Sequence, residues 1–292
     1  MARFFRHFRN AIWLALEHDV LNTAKAAAYS GMLALFPALV VLTALLAQVP
    51  EGTSLVGEVR ASFGQILPAD SMSLLQSTMQ TRRFHSAQLI LSAGSLSAFA
   101  SLGLMLSLMD GFRRAYRQPR DNWGFWQRRF RALLLVPIVL VPLSLATLVL
   151  VFGRQIESWM IDNAGHELRL FVLLVWRMAR WALALLTGVS VLCALYHFGT
   201  RRKEHWAWVA PGALAATLVW FPVTLVFGWY VTRIADYSMF YGSFGAGVAT
   251  LVWLYITSFS ALLGAELNGV LFRDRQEQAS LAESPDPDGE SQ

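Results

Sequence analysis

The chain alternates between long apolar stretches and shorter basic or polar segments. At ~1.5 Å of rise per helical residue, a run of about 20 apolar residues crosses a hydrocarbon core of roughly 30 Å. Several runs reach that length, so the pattern predicts an all-α membrane protein with six transmembrane helices. The predicted spans cover about residues 24–49, 88–109, 132–152, 181–198, 207–231 and 244–272.

The segments between and around these spans have patterns of their own. Residues 1–23 place Phe5, Phe8 and Ile12 at helical spacing beside arginines, which predicts a basic amphipathic helix at the membrane interface. A helix packed on the cytoplasmic ends of the bundle is the alternative interpretation. Residues 50–87 predict a periplasmic helical loop, and residues 273–292 a disordered cytoplasmic tail.

Composition supports a membrane protein. Of the 292 residues, 55% are hydrophobic and only 15% are charged, whereas a soluble domain carries about 25% charged residues. The one cysteine, Cys193, lies inside an apolar run and is expected to be a packed thiol. The excess of apolar residues therefore belongs to spans rather than to a large soluble core.

The formal net charge of +5 is explained by where the basic residues lie. Two thirds of the 24 lysines and arginines fall in the N-terminal segment together with Lys25, the loops 110–131 and 199–206, and the tail. The positive-inside rule then predicts that both termini are cytoplasmic. The Arg-rich loops are expected to contact anionic membrane lipids, and no nucleic-acid partner is expected.

Motifs for catalysis or metal binding are missing from the sequence. The six histidines are scattered, with no pair at ligand spacing, and there is no nucleophile elbow, phosphate-binding loop or dinucleotide fingerprint. We therefore expect no catalytic residues, no metal site, no cofactor and no enzymatic activity.

The most informative polar groups are Lys25 and Glu266. With six spans, Lys25 begins the first helix and Glu266 ends the last, so both lie near the cytoplasmic side at similar depth. A charge inside a span costs about 2.5–3.5 kcal/mol, which favours pairing or hydration. Three interpretations stay open: a cytoplasmic lock or substrate contact, a static pin, or two side chains that reach water and never meet.

Two further sets of residues stand out in the spans. Polar, proline or aromatic residues that could line a substrate pathway or form ion pairs are Lys25, Tyr29, Ser30, Pro37, Asp110, Glu266 and Asn268. Small residues that permit close helix packing are Gly212, Ala216, Gly242, Gly245 and Gly247. The same small-residue faces would also allow a homo-oligomer.

Three separated segments resemble one protein family. They are AAAYSGMLALFPALVVLTALLA at 26–47, LYHFGTRRKEHWAWVAPGALAATLVW at 195–220 and YGSFGAGVATLVWLYITSFSALLGAELN at 241–268. They resemble the YihY/BrkB-like bacterial inner-membrane proteins, once mislabelled as ribonuclease BN. The resemblance implies a multi-pass α-helical protein of the bacterial inner membrane without a settled activity.

Two functions from different classes fit this sequence. The leading hypothesis is a transporter or flippase-like protein for an amphipathic or lipid-related substrate, based on prolines in several spans, a serine-rich second span and the polar pair. The alternative is a structural or scaffold protein of the envelope without transport activity. A structure separates them: a polar, water-accessible cavity that reaches Lys25 and Glu266 would favour transport, and a solidly packed six-helix bundle would count against it.

Overall fold

The computed structural model of the chain describes residues 2–46, 86–119, 124–163, 169–200, 205–233 and 245–283. Within these ranges the chain forms seven α-helices and no β-strand. The helices are α1 Ala2–Glu17, α2 Val20–Leu46, α3 Ser86–Ala115, α4 Phe125–Asn163, α5 Arg169–Gly199, α6 Trp206–Arg233 and α7 Gly245–Glu283.

Six helices, α2 to α7, are long and apolar enough to cross a membrane. The qualifying stretches are Val20–Val41, Ile90–Ala115, Phe125–Ala146, Leu174–Gly199, Trp206–Val231 and Gly247–Ser280. The prediction of an all-helical protein with six candidate membrane spans is thus confirmed for the described residues. The interfacial position of α1 and the cytoplasmic side of the termini remain predictions.

The end of the last helix requires a correction. The sequence pattern placed residues from Arg273 onward in a disordered tail, but α7 continues to Glu283. Residues 273–283 contain no glycine or proline, so nothing interrupts the helix, and Gln278 Nε2 donates to Asp274 Oδ2 at 3.2 Å one turn earlier. The predicted loop 50–87, apart from its last two residues, and the tail from residue 284 lie outside the described residues.

The six membrane helices form a ring. Each helix from α2 onward packs on the next along the chain, with the α2–α3 contact the most extensive. α7 closes the ring by packing on α2, and it also contacts α1 and α3. The last helix is therefore the one that joins the N-terminal helices to the rest of the bundle.

Tight packing is concentrated in one half of the bundle, which we call the terminal half because it lies beside α1. It comprises residues 20–34 of α2, 100–115 of α3, 125–135 of α4, 191–199 of α5, 206–217 of α6 and 258–270 of α7. Among the described residues, every fully buried apolar side chain except Leu39 lies in this half or in α1. At its centre, the rings of Phe112 and Tyr196 meet edge to face at 5.2 Å.

The opposite half, which we call the distal half, is loosely packed. Every residue of α7 from 248 to 257 is partly exposed, although α7 contacts helices on several sides. A helix in a close-packed bundle buries at least one face completely. Residues 248–257 of α7 are therefore packed less tightly than the mostly buried residues 258–270 in the terminal half.

Candidate functional site

A buried carboxylate lies at the junction of α1 and α7. The Glu266 side chain is 0% exposed, and its Oε1 lies 2.8 Å from Nδ1 of His18, whose side chain is 16% exposed. With Glu266 ionised, Nδ1 must carry the proton, since a carboxylate only accepts. Glu266 Oε2 is also buried and has no hydrogen-bond partner among the described residues.

His18 reaches Glu266 because of how α1 ends. Asp19 has φ 59°, a left-handed conformation that aspartate tolerates better than most residues, and it separates α1 from α2. Arg114 of α3 then fixes the turn, because its Nη1 lies 3.2 Å from both the His18 carbonyl oxygen and Thr23 Oγ1. The pair thus depends on three elements: α1, α3 and α7.

Asn268, two residues after Glu266, is bonded to the backbone of α6. Its Oδ1 accepts from the Gly212 N–H at 2.8 Å, and its Nδ2 donates to the Val209 carbonyl at 2.9 Å. Asn268 is only 2% exposed, so these bonds form away from solvent. They fix the depth of α7 relative to α6 next to Pro211, whose ring lacks an N–H.

The two helices touch where glycines remove the side chain. A Cβ on Gly212 would collide with the Gly264 carbonyl oxygen and with the Asn268 side chain. A Cβ on Gly264 would meet the Gly212 carbonyl oxygen, Tyr196 Oη at 2.5 Å and the Ala216 Cβ at 2.7 Å. Gly212 and Ala216, both selected from sequence as packing residues, therefore lie at the crossing of α6 and α7.

The hypothesis of a Lys25–Glu266 pair is wrong in this structure. Lys25 is exposed, and its Nζ donates to Asn22 Oδ1 at 3.2 Å within α2. The buried face of α2 is formed by Ala24, Ala27 and Ala28, which turns Lys25 outward. Glu266 pairs with His18 instead.

Lys25 should therefore matter little to stability. Lys25→Gln is expected to change the free energy of unfolding by less than about 0.5 kcal/mol, because the side chain is exposed and touches only its own helix. Unfolding of the purified protein by a denaturing detergent measures this. A loss above about 1 kcal/mol would show that Lys25 has a partner in the folded protein after all.

The remaining pathway candidates are dispersed. Tyr29 is 63% exposed on the outside of the bundle, and Pro37 lies within α2. Ser30 packs beside Gly103 of α3, where an added Cβ would be 3.0 Å from its Oγ. Asp110 pairs with Arg128 Nη2 at 2.6 Å and more distantly with Arg113. None of these four contacts Glu266.

The glycines at the start of α7 are far from the site. Gly245 and Gly247 are buried in the distal half, where a Cβ on Gly247 would lie 3.4 Å from the flexible end of Met32. Gly242 lies outside the described residues. The glycines that set the tightest contacts on α7 are instead Gly264 and Gly269, the latter against the Ala115 carbonyl oxygen.

Sequence analysis missed His18 and Arg114 as members of the site. His18 stood between Glu17 and Asp19, and three consecutive residues on a helix point in different directions. Its position at the end of an amphipathic helix was the only available signal. Arg114 was counted among the basic loop residues, although it belongs to α3.

The site can pass a proton between the His18 imidazole and the Glu266 carboxylate, and the two groups can form or break an ion pair. Within the described ranges no group of three His, Cys, Asp or Glu side chains is arranged to hold a metal. Cys193 is buried as a free thiol near the core. The half-satisfied Glu266 carboxylate is a costly feature of the terminal half, and that cost calls for a function.

Comparison with known proteins identifies relatives across nearly the whole chain. The model of the family described as "Virulence factor BrkB" matches residues 14–288. A protein of Bacillus subtilis (strain 168), named as ribonuclease-like protein YfkH, is 32% identical over 262 residues, which is 89% of this chain and 92% of the relative.

Two other relatives carry only a membrane-protein name. The UPF0761 membrane protein MS0032 of Mannheimia succiniciproducens is 22% identical over 87% of this chain and 85% of its own. The UPF0761 membrane protein VP0125 of Vibrio parahaemolyticus is 27% identical over 88% of this chain and 79% of its own. No solved structure gives a significant match.

Proposed function

The chain belongs to the BrkB family of membrane proteins, and we propose that it is a bacterial inner-membrane transporter or flippase-like protein for an amphipathic substrate, with a terminal gate held shut by the His18–Glu266 pair. The observation that carries this proposal is the buried, half-satisfied carboxylate of Glu266 in the sealed half of the bundle. Ionisable groups inside membrane spans are expensive, and they mark pathways and relays more often than inert packing.

The uneven packing of the bundle supports a gate. A substrate that enters between loosely packed distal helices would meet the closed terminal half, where buried side chains fill the space between all six helices. Alternating access requires such an asymmetry, with one side open while the other is closed. The His18–Glu266 pair is well placed for control, since it joins α1 to the helix that closes the ring.

A loosely packed distal half also favours an amphipathic substrate over a small ion. The distal residues of α7 from 248 to 257 include Trp253, Tyr255 and Thr257, which mix apolar surface with hydroxyl groups. Trp220 Nε1 donates to Thr257 Oγ1 at 2.9 Å in the same region. A surface of this kind suits a lipid-like molecule with a polar end.

The proposal is tested with proteoliposomes that contain a fluorescent phosphatidylglycerol. Wild-type protein is expected to move this lipid between leaflets faster than in protein-free liposomes, as measured by chemical quenching of the outer leaflet. Glu266→Gln should abolish the acceleration, because it removes the charge that holds the gate shut, and alternating access requires the gate to close as well as open. Glu17→Gln, an exposed change beside the site on α1, should leave it intact.

Three results would count against transport of this substrate class. Wild-type liposomes that behave like empty ones would contradict it, as would equal activity in Glu266→Gln. Co-purification of a stoichiometric partner protein in the absence of any lipid movement would favour the scaffold alternative.

A further inference from the structure

A second polar site lies beside the His18–Glu266 pair, which we call the latch. It occupies an open cleft between α1 and α7. The cleft has a volume of about 320 Å³, near the lower end for ligand sites. Its polar lining includes Arg6 and Asn10 from α1, Arg117 from the turn after α3, and Arg273 from α7. Leu14 and Val270 form part of its apolar lining.

The charges in the cleft do not cancel. Asp274 is already engaged, because its Oδ2 lies 3.6 Å from His7 Nε2 and accepts from Gln278. Glu277 is the remaining carboxylate of the lining against three guanidinium groups, and both it and the neighbouring Glu266 act favourably on Arg273. Arg273 makes one long contact, from Nη1 to the Ala115 carbonyl oxygen at 3.5 Å, so most of its donors stay available.

Two of the arginines repel each other. Arg117 and Arg273 are close enough for their positive charges to interact unfavourably. Both also act favourably on Glu266, which links the cleft to the latch. Like charges brought together from separate elements are stabilised when an anion lies between them.

Arg117 occupies a position that glycine usually takes. It has φ 48°, and the bonds from Arg117 N to the Arg114 carbonyl at 2.9 Å and from Gln118 N to the Arg113 carbonyl at 3.0 Å form the turn that ends α3. This helix-ending turn favours glycine because a Cβ is strained at positive φ. The strained conformation of Arg117 points to a role for its side chain.

From these contacts we propose that the cleft binds a phosphate-type anion through Arg6, Arg117 and Arg273. Guanidinium groups match phosphate oxygens with paired hydrogen bonds, and three arginines line this cleft. The phosphate belongs either to the headgroup of an anionic lipid or to a free soluble ion. The site requires binding only, so it stands whether or not the protein transports anything.

Arg117→Gly separates this role from a structural one. Because glycine relieves the strain at positive φ, the variant should melt at the same temperature as wild type or a few degrees higher. Its affinity for phosphate should nevertheless fall about tenfold or more, since a charge-assisted contact is lost. Arg273→Gln should bind similarly weakly.

Matched controls lie on the same two helices outside the cleft. Arg9→Gln on α1 and Arg275→Gln on α7, where Arg275 stands over the Trp208 ring at 5.4 Å, should retain wild-type affinity. Binding is measured by calorimetry on the full-length protein in an uncharged detergent, with inorganic phosphate in one arm and short-chain phosphatidylglycerol in the other. Ionic strength is held constant with sodium chloride.

Each outcome is informative. Binding of phosphatidylglycerol alone supports the proposal with a lipid headgroup as the source, and binding of inorganic phosphate supports it with a soluble anion. Binding of neither overturns it. The proposal also fails if Arg117→Gly binds like wild type, or if the two control variants lose as much affinity as the cleft variants.

Discussion

Gly264→Ala is expected to destabilise the protein by about 3 kcal/mol or more. The added Cβ would collide with the Gly212 carbonyl oxygen, and it would lie 2.5 Å from Tyr196 Oη. Overpacking usually costs about 1–3 kcal/mol, and the cost rises when the obstacle is backbone that cannot rotate away.

The crossing of α6 and α7 explains the size of this effect. Separating the helices to admit a methyl group would also stretch the Asn268 bonds to Gly212 and Val209, which are buried. It would further disturb the bond from Tyr196 Oη to the Ala261 carbonyl at 2.6 Å. One added carbon therefore strains several contacts at once.

Gly228→Ala is the matched control for this experiment. Gly228 lies in the distal half of α6, and a Cβ there would meet nothing within 4 Å. In a helix interior, alanine is favoured over glycine by about 1 kcal/mol, so the control should be neutral or stabilising. Titration with a denaturing detergent, followed by circular dichroism, compares the two variants. Equal stability of both variants would contradict the close crossing.

The second large effect concerns the His18–Glu266 pair. His18→Ala should cost about 3–5 kcal/mol, because it leaves a fully buried carboxylate without its bonded partner. The double variant His18→Leu/Glu266→Leu should recover most of that loss. Replacing both partners of a buried pair by apolar residues is often neutral or stabilising.

The double variant distinguishes a gate from a static pin. If the pair only holds the bundle together, restoring stability with leucines should also restore activity in the proteoliposome assay. If the pair is a gate, the leucine variant should be stable and inactive, since apolar side chains cannot exchange a proton or release an ion pair. A double variant as unstable as His18→Ala would show that the pair is not the dominant buried cost at this site.

The membrane fold was predictable because hydropathy is a local property. Six candidate spans follow from runs of apolar residues, and each run can be recognised from its own residues alone. The extension of α7 beyond Arg273 was missed because its polar residues resemble a tail. Because residues 273–283 include no glycine or proline, their helix propensity allows α7 to continue to Glu283.

Glu266 and Asn268 could be selected from sequence, since polar groups at the end of an apolar span are unusual. The partner of Glu266 could not, because pairing depends on how each helix is rotated about its axis. The spacing of Ala24, Ala27 and Ala28 did carry that information for α2. A small-residue face at helical spacing packs inward, and Lys25 lies off that face.

The contact between α6 and α7 was also only partly predictable from its glycines. The small residues at 242–247 and at 212–216 predicted a close contact of α6 and α7, and the backbones approach most closely at Gly212 and Gly264. Both positions were visible as small residues, but which pair meets depends on the crossing angle and depth. Those quantities are set by tertiary packing rather than by local sequence.

In the proposed gate, the His18–Glu266 pair holds α1 on α7, and its release opens the terminal half. The most direct measurement is the distance between spin labels on Arg9→Cys and Gln276→Cys, in a Cys193→Ala background reconstituted into nanodiscs. With the pair intact, we expect one narrow distribution, and Glu266→Gln should add a second population at longer distance. Identical distributions with and without Glu266→Gln would contradict the latch.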